Sequence, residues 1–325
     1  MRSIRYDTFG DPAQVLTSAD SPEPAPGPGR ILVRTLLAPI HNHDLWTVRG
    51  TYGVRPALPA IGGSEAAGIV EAVGEGVDAA LVGRRVAVAG IEGAWAERFT
   101  APAAGAIPVP DAMPDEAAAQ LIAMPFSAIT LVEFLGVKPG DWVIQTAANG
   151  AVGRMVAVLA KSRGIRLLNL VRRADAAREL TGLGMDNVVS TDQSGWQDHA
   201  REIIGPEGAR AAVDSVGGEV ATALTGLLGS DGLLVTFGSA TGGTLPLNTG
   251  DIIFKELTVK GFWGAKVAAA TSPADKQRLF GELIGLVLDG SLPLPAGGIF
   301  GLDQAAEAIA AATTPGRSGK IMFRP

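Results

Sequence analysis

The chain has 325 residues, of which 47% are apolar, and a formal net charge of −6 at pH 7. This length suits two domains or one large domain, and the acidic balance argues against nucleic-acid binding, which depends on basic surface. The absence of cysteine excludes disulfides and thiolate zinc ligands. Because the N-terminus lacks an apolar signal core and no apolar run approaches the ~18 residues of a membrane span, we expect a cytoplasmic protein without membrane contact.

The N-terminal third of the chain reads as mostly β structure. Strand-like runs closed by glycine turns occur at "RILVRTLLAPI" (30–40), "AAGIVEAVG" (66–74) and "RRVAVAG" (84–90). The proline-rich segment 21–30 lies between strand-like runs, so we interpret it as a surface loop and not as a linker between domains.

From Asp141 onward, apolar strands and amphipathic helices alternate. "DWVIQTA" (141–147), "IRLLNLV" (165–171) and "GLLVTFG" (232–238) have the composition of buried strands, and helical segments separate them. Repeated strand–helix units predict a parallel, doubly wound sheet of the α/β class.

A glycine turn joins the first of these strands to its helix. Glycine lets the backbone approach a pyrophosphate, and the start of the helix offers free N–H groups and a positive dipole. The strict three-glycine pattern of dinucleotide sites is absent, but the strand–turn–helix context supports cofactor binding. The predicted contacts are Asn149, Gly150, Ala151, Val152 and Gly153.

The next strand ends in two arginines, Arg172 and Arg173. A cofactor with a free ribose 2′-hydroxyl usually meets an acidic residue there, about 20 residues after the glycines. A guanidinium pairs well with a 2′-phosphate, so the arginines favour NADPH. The alternatives are a solvated pair at the helix entry, or NADH binding through Asp175, which comes slightly late in the sequence.

With this cofactor loop, the chain resembles the medium-chain dehydrogenase/reductases over nearly its whole length. The resemblance implies a GroES-like catalytic domain, residues 1–120 and 266–325, and a Rossmann dinucleotide-binding domain, residues 121–265. Zinc-dependent relatives carry Cys-His before an Asp, then Gly-His-Glu, where this chain has "HNHD" (41–44) and "GGSE" (62–65). Without cysteine, and with Ser64 at a ligand position, a complete zinc site cannot be assembled. We predict no metal and interpret His41 and His43 as structural residues on a strand-like turn.

Two zinc-free groups are similar to the chain, the mitochondrial-type 2-enoyl thioester reductases and the quinone oxidoreductases. "GTYG" (50–53) suits both, whereas "IIFKELTVKGFWG" (252–264) is more similar to the enoyl reductases. Two departures count against the enoyl reductases: "VDSVGG" (213–218) is closer to the quinone group, and Met124 lies where the enoyl reductases usually have an asparagine before proline. The substrate therefore stays open between an enoyl thioester or enone and a quinone.

The resemblance to the enoyl reductases implies specific roles. Tyr52 corresponds to the tyrosine that is their proposed proton donor; the alternative is a tyrosine that only packs within the structure or against the substrate. A phenol with a pKa near about 10 is neutral at pH 7 and can donate to a carbonyl or an enolate; Arg49 or Arg55 could lower that pKa. The resemblance also predicts cofactor contacts at Phe262, Trp263 and Lys320, and a substrate pocket lined by Tyr52, Met124, Ser127 and Trp263. Phe237 and Gly238 end a strand at the carboxyl edge, where ligands of doubly wound sheets bind, so we predict cofactor contacts there as well.

The sequence leaves three functions open. The first is NADPH-dependent reduction of an activated C=C bond, the second is NADPH:quinone reduction, and the third is a dinucleotide-binding sensor or scaffold without turnover.

Relatives pair the last strand of the cofactor sheet across a two-fold axis. The resemblance therefore also implies a homodimer through "ELTVKGF" (256–262).

Overall fold

The computed structural model describes residues 1–314 and 319–325. The chain folds into two compact units: residues 1–123 with 282–325, and residues 124–281. The domain limits expected from the sequence, at 120 and 265, stay a prediction.

The strands of the first unit pair mainly antiparallel, and those of the second unit pair in parallel. In chain order they are β1 (Arg2–Tyr6), β2 (Thr17–Asp20), β3 (Arg30–Pro39), β4 (Ala60–Ile61), β5 (Glu65–Val73), β6 (Arg85–Ala89), β7 (Arg98–Pro102), β8 (Ile107–Pro108), β9 (Trp142–Gln145), β10 (Arg166–Val171), β11 (Val188–Ser190), β12 (Ala209–Asp214), β13 (Leu228–Thr236), β14 (Thr258–Gly261), β15 (Ala296–Gly301) and β16 (Lys320–Arg324).

The helices lie mainly in the second unit. In chain order they are α1 (Pro12–Val15), α2 (Asn42–Arg49), α3 (Asp115–Ala118), α4 (Ala123–Leu135), α5 (Ala151–Ser162), α6 (Ala174–Gly182), α7 (Trp196–Ile204), α8 (Gly218–Leu227), α9 (Thr249–Phe254), α10 (Gly264–Ala270), α11 (Pro273–Leu288) and α12 (Ala305–Thr313). Of the helices within the described ranges, none has the length and apolar character to cross a membrane.

In the first unit, β3 is the centre of a largely antiparallel sheet with the order β15-β16-β3-β5-β6-β8, and β7 also pairs with β3. Trp95 is fully buried in its core, and its Nε1 donates to the Pro39 carbonyl at 3.0 Å. The indole lies directly on Gly62 and Gly63, where an added Cβ would come within 2.3 and 2.4 Å of the ring. These glycines therefore let the chain pass closely over Trp95 and fix the start of β5.

The second unit contains a parallel sheet with the order β11-β10-β9-β12-β13-β14. The prediction of a doubly wound α/β fold with a mostly β partner is confirmed. The order of the strands reverses between β9 and β12, and ligands of such sheets bind outside the carboxyl ends of the strands at this point. The turn after β9 lies at that position.

Candidate active site

The segment "HNHD" begins a helix. His41 is the N-cap of α2, and the Asp44 carboxylate accepts a hydrogen bond from the His41 backbone N–H at 2.9 Å, which is one half of a capping box. The expectation of a strand-like turn is therefore wrong. The Asp44 carboxylate satisfies the His41 N–H, a backbone group that a strand would have paired with a neighbour.

His41 and Glu65 form a fully buried pair. His41 Nε2 lies 2.6 Å from Glu65 Oε2, and the other carboxylate oxygen accepts hydrogen bonds from the N–H groups of Ile122 and Ala123. Burial raises the Glu65 pKa to about 7 and lowers the His41 pKa well below its usual value. Lys320, at the start of β16, lowers both pKa values through its charge. Burial therefore disfavours the charged form of each partner.

This pair predicts a pH-dependent stability. Because the Glu65 pKa is raised from 4.5 to about 7, the native state binds a proton more tightly than the unfolded state. The wild-type protein should therefore lose stability relative to Glu65→Gln as the pH rises from about 5 to 8. The His41 pKa shift has the opposite sign but is present in both proteins. Urea unfolding across this range measures the difference, with the exposed Glu207→Gln as control; a difference independent of pH would contradict the prediction.

Ser64, at the position of a zinc ligand in the relatives, is part of a hydrogen-bonded chain. Its hydroxyl donates to Asp44 Oδ1 at 2.6 Å and lies 2.8 Å from His43 Nε2. The described part of the chain contains no cluster of three or more histidine, aspartate or glutamate side chains that could hold a metal ion. The side chains at the zinc-ligand positions are thus engaged with one another.

Tyr52 lies just beyond the C-terminal end of α2, in the loop that follows Gly50. Gly50 has φ 73°, and its carbonyl accepts hydrogen bonds from the Arg55 guanidinium. The half-buried Tyr52 ring packs at 5.8 Å from the His43 ring and 6.4 Å from the Trp46 ring. Across the described ranges, the Tyr52 hydroxyl has no hydrogen-bond partner. It is therefore available to a substrate.

The Tyr52 phenol keeps its proton at neutral pH. Burial and, to a smaller extent, the Asp44 carboxylate raise its pKa above 10.0. The expectation that Arg49 or Arg55 lowers this pKa is wrong, because the Arg55 guanidinium is directed to the Gly50 carbonyl and the nearby charge that acts on the phenol is negative. The structure therefore provides a neutral donor and not a phenolate.

In the second unit, the glycine turn closes tightly before α5. Gly150 is the N-cap without a side-chain hydrogen bond, and Ala151, Val152 and Gly153 have backbone N–H groups with no acceptor in the described part of the chain. A Cβ on Gly153 would lie 2.8 Å from backbone atoms of Ala147 and Ala148. Asn149 belongs to this turn, and its carbonyl accepts from Arg154 at 3.1 Å. This cradle fits a pyrophosphate, since bare backbone N–H groups at a helix start bind anions.

The two arginines after β10 differ in their surroundings. Arg173 is the N-cap of α6 and pairs with Asp175 at 3.0 Å, which lowers the Asp175 pKa. The exposed Arg172 side chain has no such partner among the residues described. Arg172 is therefore the freer of the two guanidinium groups for a phosphate.

The aromatic residues predicted at the cofactor fall into a buried and an exposed group. Phe262 is 7% exposed and packs on Phe237 and Phe134, with ring centroids 5.7 and 5.3 Å apart. The N–H groups of Phe237 and Gly238 donate to the Asp214 carbonyl. Trp263 is 58% exposed at the start of α10. Phe262 thus supports this end of the sheet, and Trp263 is open to a ligand.

The predicted pocket residues of α4 lie in its first turns. Met124 and Ser127 are both half-buried. A Cβ on Gly264 would come within 3.0 Å of Ser127 Oγ, so α4 and α10 approach each other closely at this point. Their roles in a pocket stay a prediction.

Sequence reasoning missed a buried polar group at the carboxyl ends of the strands. Asp214 accepts hydrogen bonds from Thr146 Oγ1 and from the backbone N–H groups of Val216 and Gly217. Gln145 donates to the Gly153 carbonyl at 2.9 Å and to Asn169 Oδ1 at 2.7 Å. These contacts hold the loops around the glycine turn. Polar residues ending otherwise apolar strands are the signal that could have revealed them.

Comparisons with known proteins extend over both units. The family described as "Zinc-binding dehydrogenase" matches residues 151–279, and the family described as "Alcohol dehydrogenase GroES-like domain" matches residues 27–111. The mitochondrial enoyl-[acyl-carrier-protein] reductase of Bos taurus is 32% identical over 327 residues, which cover 98% of this chain and 87% of that protein.

Solved structures of quinone oxidoreductases are also similar. A mycobacterial quinone oxidoreductase matches with a TM-score of 0.86 at 29% identity. The Escherichia coli quinone oxidoreductase complexed with NADPH matches with a TM-score of 0.87 at 26% identity. Each match covers 100% of both chains.

Proposed function

Because the chain belongs to the medium-chain dehydrogenase/reductase superfamily, we propose that it is an NADPH-dependent, zinc-free reductase of activated C=C bonds, with a 2-enoyl thioester as its substrate. The observation that carries the proposal is Tyr52, a half-buried neutral phenol whose hydroxyl has no partner in the described part of the chain. The similarity to the bovine enoyl-[acyl-carrier-protein] reductase supports the substrate class.

The second unit holds the cofactor. The pyrophosphate is bound by the N–H groups of Ala151, Val152 and Gly153, and the 2′-phosphate by Arg172 and Arg173, as these residues' geometry permits. The Escherichia coli relative complexed with NADPH supports the same cofactor here. When bound, NADPH supplies the hydride that adds to the β-carbon of the substrate.

Tyr52 stabilises the negative charge that this addition produces, or supplies the proton that it requires. Negative charge develops on the thioester carbonyl oxygen as an enolate forms, and a neutral phenol can donate a hydrogen bond to it or a proton to the α-carbon. The raised pKa of Tyr52 keeps this proton in place before reaction. No metal ion takes part in this proposal.

Quinone reduction is the second candidate. The likeness to solved quinone oxidoreductases and the segment 213–218 favour it. A quinone needs flat apolar walls and takes its proton from water, so Tyr52 would serve there only as a wall. This activity requires no acid from the protein.

NADPH oxidation over a panel of acceptors separates these functions. The panel contains a short 2-enoyl thioester, an enone and a quinone, each tested with NADPH and with NADH. The proposal expects the enoyl thioester to give the highest kcat/KM with NADPH. Faster turnover of the quinone would favour the second candidate, and tight cofactor binding without any turnover would contradict both.

We expect the enzyme to be a homodimer. Strand β14 is the last strand of the parallel sheet and is exposed along its length, and apolar side chains of the same region, Phe254 and Trp263, are 86% and 58% exposed. An exposed edge strand with apolar neighbours is adhesive unless it is covered. Light scattering at micromolar concentration should give twice the chain mass, whereas a strict monomer would contradict the prediction.

A cytoplasmic location stays a prediction.

A further inference from the structure

A hydrogen-bonded chain of three side chains lies against the Tyr52 ring. The Asp44 carboxylate accepts from the Ser64 hydroxyl at 2.6 Å, and Ser64 Oγ lies 2.8 Å from His43 Nε2. Asp44 is itself fixed, because it is buried and its second oxygen caps α2 through the His41 N–H. Each member of the chain is therefore held by the one before it.

The donors and acceptors in this chain fix the orientation of the imidazole. A hydroxyl has one hydrogen, and that of Ser64 is donated to Asp44, so Ser64 accepts from His43 Nε2–H. The His43 ring also stacks on the His41 ring at 4.9 Å and 14°. The hydrogen bond to Ser64 and the stacking on His41 thus fix the orientation of the His43 ring.

Tyr52 packs against the His43 ring. Its ring contacts are with His43 at 5.8 Å and Trp46 at 6.4 Å, both from α2. No side-chain hydrogen bond anchors Tyr52 within the described residues. A phenol that transfers a proton must hold its hydroxyl in the right place, and a displacement of about 1 Å can cost 10²-fold in rate.

We propose that His43 is a positioning residue for Tyr52, oriented by Ser64 and Asp44, in the reduction of enoyl thioesters. The inference rests on the proposed function, because it gives Tyr52 a chemical task. It also explains why the segments that hold zinc ligands in relatives here contain a histidine and a serine within hydrogen-bond distance.

Kinetics of Ser64→Ala test the proposal, since this change removes the hydrogen bonds to His43 and Asp44 and leaves Tyr52 intact. With crotonyl-CoA as the enoyl thioester, kcat should fall on the order of 10- to 10²-fold. The KM for NADPH and the rate with a quinone should stay unchanged. Ser64→Thr, which retains the hydroxyl, should keep most of the rate, and the exposed Asn42→Ala on the same helix is the matched control.

A double-mutant cycle distinguishes positioning from a general structural effect. In a Tyr52→Phe background, Ser64→Ala should cause no further loss on crotonyl-CoA, because there is no longer a hydroxyl to position. Additive losses would overturn the inference and leave the role of Tyr52 in the proposed function intact. If Tyr52→Phe alone retained the wild-type rate, the role of this tyrosine in the proposed function would fail first.

A spectroscopic readout tests the positioning without turnover. The chain has two tyrosines, Tyr6 and Tyr52, and Tyr6 is 2% exposed in the core. Protein labelled with 3-fluorotyrosine should therefore give two ¹⁹F resonances. The one that is lost in Tyr52→Phe is that of Tyr52, and the other is that of Tyr6. Ser64→Ala should shift or broaden the Tyr52 resonance more than that of Tyr6, whose phenol also senses the Asp44 carboxylate. An unchanged Tyr52 resonance would overturn the inference whatever the substrate is.

Discussion

Tyr52→Phe should lower kcat on a 2-enoyl thioester by about 10²–10⁴-fold, the usual range for a positioned acid. Phenylalanine keeps the ring contacts with His43 and Trp46 and removes the hydroxyl alone. A packing role would survive this change and a chemical role would not. Steady-state kinetics with NADPH measure the effect.

The control for this variant is its cofactor affinity and its quinone activity. NADPH binding should hardly change, because the cofactor turn lies in the other unit. Most of any quinone activity should remain, because water can protonate a reduced quinone. A wild-type rate on the enoyl thioester, with chemistry shown to be rate-limiting by deuterated NADPH, would make Tyr52 a wall of the pocket.

The double variant Arg172→Ala/Arg173→Ala should weaken NADPH binding far more than NADH binding. Loss of one charge-assisted phosphate contact costs roughly 1.5–3 kcal/mol, or about ten- to a hundredfold in Kd. Arg172 should account for the larger share, because Arg173 already pairs with Asp175. Titration of each cofactor against the single and double variants measures the difference.

A matched control removes the same charge elsewhere in the unit. Arg201→Ala/Arg210→Ala takes two exposed arginines from α7 and β12 and should not change the cofactor preference. Equal affinity of the unmodified protein for NADPH and NADH would contradict the prediction.

Local patterns in the sequence were sufficient to predict the parallel sheet and the glycine turn after β9. The alternation of apolar strands and helices after Asp141 depends on residues near one another, and so does the glycine turn at Gly150 and Gly153. The prediction for the start of α2 was wrong, because histidine is an unusual N-cap residue and the helix start depends on the Asp44 carboxylate at the third helical position, which binds the His41 N–H.

Contacts between distant residues were not accessible from the sequence. The hydrogen bond between Ser64 and Asp44 joins residues that are 20 positions apart in the sequence. The Glu65 carboxylate accepts hydrogen bonds from the N–H groups of Ile122 and Ala123, which lie more than 50 residues later. Tertiary packing, with Trp95 against Gly62 and Gly63, brings these groups together. For the same reason the sequence suggested arginines as neighbours of Tyr52, whereas the charge that acts on it is that of Asp44.

The most direct test of the proposed function is the fate of a labelled hydride. The enzyme is incubated in ordinary water with a 2-enoyl thioester and NADPH that carries deuterium at the transferable position, and the product is analysed by mass spectrometry and NMR. We predict a saturated thioester with one deuterium on its β-carbon and a solvent-derived proton on its α-carbon. Recovery of the unsaturated thioester unchanged, under conditions in which the same preparation reduces a quinone, would contradict the proposal.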